Sequence, residues 1–114
     1  YLVVAYQNIG QYENSILAFE NSLEKGGEFR ELYNDYSRSL YATEKPIDAI
    51  EIINQWLKKY PEDPRMIYNR LQINLSLNNI NKAKKDIENL ESYDDLSDEL
   101  STNLQIIKEQ YKIN

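Results

Sequence analysis

Apolar residues along the chain recur at steps of three and four rather than two, as in Ile47, Ile50, Ile53 and Leu57, and again in Leu100, Leu104, Ile107 and Tyr111. That spacing lays an apolar stripe along one face of an α-helix, and no strand-like alternation persists for more than a few residues. The stripes break where helix-terminating residues sit: Gly26-Gly27, Pro46, Pro61 and Pro64. Asp63 offers an N-cap oxygen ahead of Pro64, which takes the first helical position, where a missing N–H costs nothing. Ser97, followed by Asp98 and Glu99, places an acceptor and two negative charges at another helix start. The pattern predicts an all-α chain with helices near residues 1–9, 11–25, 30–43, 46–59, 64–77, 80–92 and 98–112.

Sliding the sequence against itself shows that these helices repeat. Ser15, Ala49 and Ala83 are small residues spaced 34 apart. Four residues after each comes a bulky apolar one, Phe19, Ile53 and Ile87, and seven after come Ser22, Trp56 and Leu90. Three before each stand Tyr12, Pro46 and Ile80. A small residue lets the second helix of a pair approach the first closely, and the bulky residue one turn later fills the groove so made.

With that period, the chain resembles the tetratricopeptide repeat (TPR) family over nearly its whole length. The family's first-helix letters match at Tyr33, Tyr36-Ser37 and Leu40, and in a truncated first copy at Leu2-Val3 and Tyr6. Its second-helix Ala and bulky partner match at Ala49 and Ile53, and its closing Pro at Pro61. Gly10 falls at the tight turn expected between the paired helices of the first copy. The resemblance implies a right-handed superhelical array of about three helix-turn-helix repeats, with a partial repeat over 1–29, repeats over 30–63 and 64–97, and a C-terminal capping helix over 98–112.

The resemblance also implies a concave face built from the first helices, with Asn34, Arg38, Tyr41, Arg65, Tyr68, Asn69 and Gln72 projecting from it. Amide, guanidinium and phenol groups suit an extended peptide or a partner's helix. The family's chaperone-binding members hold a C-terminal carboxylate with a set of Lys, Asn and Arg. Here the corresponding places carry Asn34 and Arg38, then Asn69, then Glu99 and Asn103, which does not make that clamp. The third copy departs from the pattern with Arg70-Leu71 and Asn74 on the arc that should meet the partner helix. Arg70 either pairs with an acid such as Glu88 or Glu91, or anchors an anionic ligand group.

Composition narrows the chemistry. A charged share of 28% and a hydrophobic share of 41% over 114 residues fit a folded globular chain. The net charge of −6 repels phosphate backbones and anionic membranes, so nucleic acid is not an expected partner. The longest apolar run, Leu2-Val3-Val4-Ala5-Tyr6, is too short to span a bilayer, and membrane insertion is not expected. There is no Cys and no His, which removes thiol chemistry, disulfides, and the commonest general base and zinc ligand. Neither a cofactor nor catalysis is expected.

Most of the 10 tyrosines fall on apolar arcs, as core residues would. Lys82, Lys84 and Lys85, with Lys58 and Lys59, sit beside Asp86, Glu88 and Glu51 as a solvated mixed-charge face. Asp94-Asp95 with Asp98-Glu99 lacks the ordered spacing and Gly of a calcium loop.

The expected function is therefore a non-enzymatic scaffold for a protein or peptide. The alternatives are an accessory repeat domain of a larger enzyme, such as a bacterial glycosyltransferase, and a self-assembly module. The chain, which opens on Tyr1 without an initiator Met, reads as a piece of something longer. It is expected in the cytoplasm, as a monomer or as a weak homodimer joined through Leu2, Val3, Tyr6 and Ile9.

Overall fold

The computed structural model describes residues 9–26 and 30–113. All regular structure among the described residues is helical: α1 (Ile9–Glu24), α2 (Arg30–Ala42), α3 (Pro46–Lys59), α4 (Pro64–Ser76), α5 (Ile80–Glu91) and α6 (Asp98–Tyr111). The helix expected over 1–9, with Leu2, Val3 and Tyr6, lies outside the described residues except for Ile9, and so does Gly27. Gly10 is not a turn residue, because it is the second residue of α1. A glycine within the first helical turn forfeits no intrahelical N–H bond, so its position there is tolerated. Gly26 ends α1 as expected, with φ +85 and its N–H donated to the Leu23 carbonyl at 3.0 Å.

The chain divides into two compact units, one up to Pro61 and one from Glu62 onward. In the first, α2 packs against both α1 and α3, and in the second, α4 packs against α5. Helix starts recur across the two units at a fixed interval, the one that separates Ala49 from Ala83. Arg30, Pro64 and Asp98 begin α2, α4 and α6 at that spacing, and Pro46 and Ile80 begin α3 and α5 at the same spacing.

The ends of these helices explain the interval. At the N-termini, the Asp63 carboxylate accepts the Met66 N–H at 3.3 Å, and the Ser97 hydroxyl accepts the Leu100 N–H at 3.2 Å. Both are side-chain caps at the third helical position. At the C-termini, Glu44 (φ 63), Asn78 (φ 63) and Lys112 (φ 55) enter the left-handed region, again evenly spaced along the chain. The next N–H then reaches back to close the last turn: Lys45 to the Leu40 carbonyl, Asn79 to Asn74 and Ile113 to Lys108, each at 2.8 Å. This is the Schellman arrangement, which satisfies carbonyls that a helix end leaves open. After α2 and α4 the chain reverses at once into α3 and α5.

Ala49 and Ala83, both at 0% exposure, occupy the fourth position of α3 and α5. Ile53 and Ile87 one turn later are also buried, as is Trp56 in α3 and Leu90 in α5. The buried face of α3 is thus Ala49, Ile52, Ile53, Trp56 and Leu57. The stripe expected through Ile47 and Ile50 is corrected: Ile47 is 60% exposed and Ile50 only half-buried. Burial follows the alanine that permits close approach, and that choice turns Ile47 away. In α6, Leu100, Leu104 and Ile107 are buried but Tyr111 is largely exposed, and Ile113 in the closing turn covers the helix end instead.

The first unit is held by aromatic packing. Tyr33 lies 5.2 Å from Trp56 across α2 and α3, Trp56 meets Tyr60 at 4.4 Å in a tilted arrangement, and Phe19 meets Tyr36 at 5.7 Å across α1 and α2. Such pairs contribute about 0.5–1.5 kcal/mol each beyond the area they bury. Buried Tyr36 also donates its hydroxyl to Glu20 of α1 at 3.2 Å. Burial first, then the Glu20 carboxylate, then Asp48, push its pKa from 10.0 up to about 12.

The second unit differs at α6. The face of α2 that meets α3 carries buried Tyr33, Ser37 and Leu40, and the same register positions in α4 carry buried Ile67, Leu71 and Asn74. In α6 those positions are Ser101 and Gln105, both exposed, and half-buried Lys108. Lys108 binds Glu91 at the end of α5, at 2.8 Å. Asn74 is buried, and its Oδ1 has no hydrogen-bond partner among the described residues. Nothing in the structure explains why Asn stands where the preceding hairpin has Leu40.

Ala49→Leu and Ala83→Leu each overpack a fully buried contact, and each is expected to lower unfolding stability in urea by about 1–3 kcal/mol. An unchanged midpoint would show that the paired helices do not approach closely there. Tyr36 has a folded pKa above its unfolded one, so its contribution is complete below pH 10.0 and is lost as pH rises through about 12. Between those pH values Tyr36→Phe should lose less stability than wild type, by about 1 kcal/mol, because solvent near the phenol hydroxyl screens part of the shift. Parallel thermal melts of the two proteins across that range provide the measurement.

Candidate functional site

The residues expected to form a binding face lie on two first helices, and each helix carries its share on one side. On α2, Asn34, Arg38 and Tyr41 are spaced four and three apart, with Asn34 half-buried and the other two exposed. On α4, Arg65, Asn69 and Gln72 follow the same spacing, with Tyr68 three after Arg65 and four before Gln72, which puts all four on one side. The two stripes belong to different compact units, and the structure assembles each by itself.

The α4 stripe is knit into a network with α6. Arg65 Nη2 meets Glu99 Oε1 at 2.9 Å, between exposed side chains. The Tyr68 hydroxyl accepts from Gln72 Nε2 at 3.4 Å. Burial raises the Tyr68 pKa, opposed by a hydrogen bond from Asn103 and by the charge of Arg65. Asn69 Nδ2 lies 3.8 Å from the Met66 sulfur. Tyr68 itself is only 7% exposed, so it supports this face from below and offers a ligand little surface.

Two members of this network were legible only in part. Glu99 and Asn103 stand on the terminal helix, and Glu99 occupies the register of Arg65 one interval later. The signal is the alternation of sign at Glu31, Arg65 and Glu99, which hold matching places in α2, α4 and α6. Ile106 was missed altogether. It is 55% exposed on α6, and it shares its register with Arg38 and Gln72, both also exposed.

Arg70 is committed inside the fold. Its Nε and Nη2 donate to the two carboxylate oxygens of Asp86 on α5, at 3.0 and 2.7 Å, a bidentate fork. The Asp86 side chain is only 7% exposed. Two expectations are corrected here. The partner is neither Glu88, which points to solvent, nor Glu91, which binds Lys108. Nor does Asp86 belong to a solvated mixed-charge face: it sits three residues after Ala83, on the side of α5 that meets α4.

Elsewhere, Lys82, Lys84 and Lys85 are exposed, as expected. Among the described residues no three acidic side chains converge as metal ligands, Asp94, Asp95, Asp98 and Glu99 included. Tyr93 has its pKa raised by burial and by Glu62, Asp63 and Asp95. The three shifted phenols, Tyr36, Tyr68 and Tyr93, all move upward, so each stays protonated at neutral pH. A shallow depression of about 400 Å³ at the end of α6 is lined by Gln105, Lys108, Glu109, Lys112 and Ile113. No helix among the described residues is long and apolar enough to cross a membrane. No family model, no curated protein and no solved structure matches the chain.

The Arg70–Asp86 fork carries a direct expectation. Asp86→Ala removes the buried carboxylate that the Arg70 guanidinium grips with two bonds and should destabilise the chain by about 3–5 kcal/mol. Glu99→Ala removes one half of an exposed pair and should cost no more than about 1 kcal/mol. Urea titrations followed by circular dichroism would compare them. Equal costs would mean that burial does not set the strength of the two pairs.

Proposed function

We propose that this chain is a TPR-like scaffold that binds a protein or peptide, with no catalytic activity of its own. In this reading the hairpins stack as a right-handed superhelical array of about three repeats, the first of them partial, and α6 caps it. The polar residues Ser101, Gln105 and Lys108, on the α6 face that corresponds to the buried seams of α2 and α4, support the cap.

The observation that carries the binding reading is a register position that stays exposed in α2, α4 and α6 alike. It holds Arg38, Gln72 and Ile106, a guanidinium, an amide and an aliphatic chain. A repeated position kept open to solvent but varied in chemistry suits recognition of a heterogeneous ligand, whereas packing would demand uniform apolar residues. Asn34, Tyr41, Arg65 and Asn69 flank it on the same helices, with Tyr68 beneath.

A displayed library of extended peptides, selected on the intact chain, tests the proposal. Paired substitutions Arg38→Ala with Tyr41→Ala, and separately Gln72→Ala with Ile106→Ala, should weaken a selected peptide by roughly 10- to 100-fold. The melting temperature should stay nearly unchanged, since these side chains are exposed. Undiminished binding by both variants would place the binding surface elsewhere.

A further inference from the structure

Hairpins that recur at a fixed interval face a problem of identity. Glu44 and Asn78 turn α2 and α4 with the same bonds, and Ala49 and Ala83 sit fully buried at the same place in α3 and α5. By these features α2 could receive α5 as readily as α3, and α4 could receive α3 as readily as α5. Crossed pairings of this kind arise within one folding chain and between chains at high concentration.

The buried seams differ in shape at several matched positions, Trp56 against Leu90 among them, but at one matched pair they also differ in charge. In α4 and α5 it is Arg70 and Asp86, joined by the bidentate fork. At the matching places of α2 and α3 it is Tyr36 and Ile52, both buried. Tyr36 directs its hydroxyl to Glu20 of α1, and neither cation of α2, Arg30 or Arg38, shares its register. We infer that the Arg70–Asp86 pair is a pairing-selectivity device, which admits α5 to α4 and excludes it from α2.

The exclusion is asymmetric. Against α2, the Asp86 carboxylate would meet a phenol, whose O–H can satisfy one oxygen but cannot balance the charge. A buried charge stripped of its counter-charge is among the strongest penalties a wrong interface can impose. Against α3, Arg70 would meet Ile52. Its guanidinium is the more exposed partner, with a side chain 26% accessible, and Asp48 of α3 lies near enough to act on Tyr36. The buried carboxylate therefore provides most of the discrimination.

The test uses the full chain, refolded from urea at low and at high protein concentration. Readouts are the number of amide resonances in a proton–nitrogen correlation spectrum and the monomer fraction by light scattering. Wild type is expected to return to one monomeric species at both concentrations. Arg70→Met with Asp86→Leu should regain its helical signal yet show additional resonances and oligomers that grow with concentration. A single monomeric resonance set from that variant overturns the proposal, as does a mixture from wild type. Should it fail to regain helix, Tyr36→Arg with Ile52→Asp decides, because it gives both hairpins the same pair. Additional species from it support selectivity. A single species shows that the pair holds the fold without choosing a partner.

Discussion

The left-handed turn is the constraint on which the helical hairpins depend. Once a helix of about 13 residues has ended at Glu44 or Asn78, the backbone bonds from Lys45 to Leu40 and from Asn79 to Asn74 fix where the next helix begins. That start places Ala49 and Ala83 at the point of nearest approach, and the alanines in turn decide which side of α3 and α5 is buried. Register, seam and exposed face follow in that order. The same turn at Lys112 closes α6, but there it leads to Ile113, which folds back over the helix end.

Within this common frame the two hairpins hold their seams by different physics. Tyr33 and Trp56, flanked by exposed Tyr60, fill the first with tilted rings whose attraction is short-ranged and indifferent to salt. The second places a forked ion pair beside aliphatic neighbours such as Leu71 and Ile87, where each charge depends on the other. Small differences at matched positions thus give repeated elements distinct partners without altering the backbone.

Much of this was legible from residue spacing, because helix ends obey local rules. Asp63 and Ser97 cap as their chemistry predicts, Pro46 and Pro64 begin helices, and five of the six helix boundaries agree within a residue at each end. Local rules could not reveal which acid Arg70 selects, since Asp86, Glu88 and Glu91 differ only in the direction they face. They gave Ile47 a place on the buried stripe that Ala49 takes instead. Tyr68 was legible as a member of the α4 stripe but not as its buried support, because local spacing does not show that Asn103 of α6 would bond its hydroxyl. Glu44 and Lys112 were invisible as left-handed residues, since Glu and Lys carry no turn signature, whereas Gly26 was legible and Asn78 is a residue type that tolerates that conformation.

Glu44, Asn78 and Lys112 share one backbone conformation while having little in common as side chains, so the turn is enforced by main-chain bonds and not by residue identity. A shape encoded in this way tolerates drift: successive units can exchange nearly every letter at their corners and still keep step. In such a chain the rhythm is carried by the backbone, and the spelling of each corner is left open to other demands.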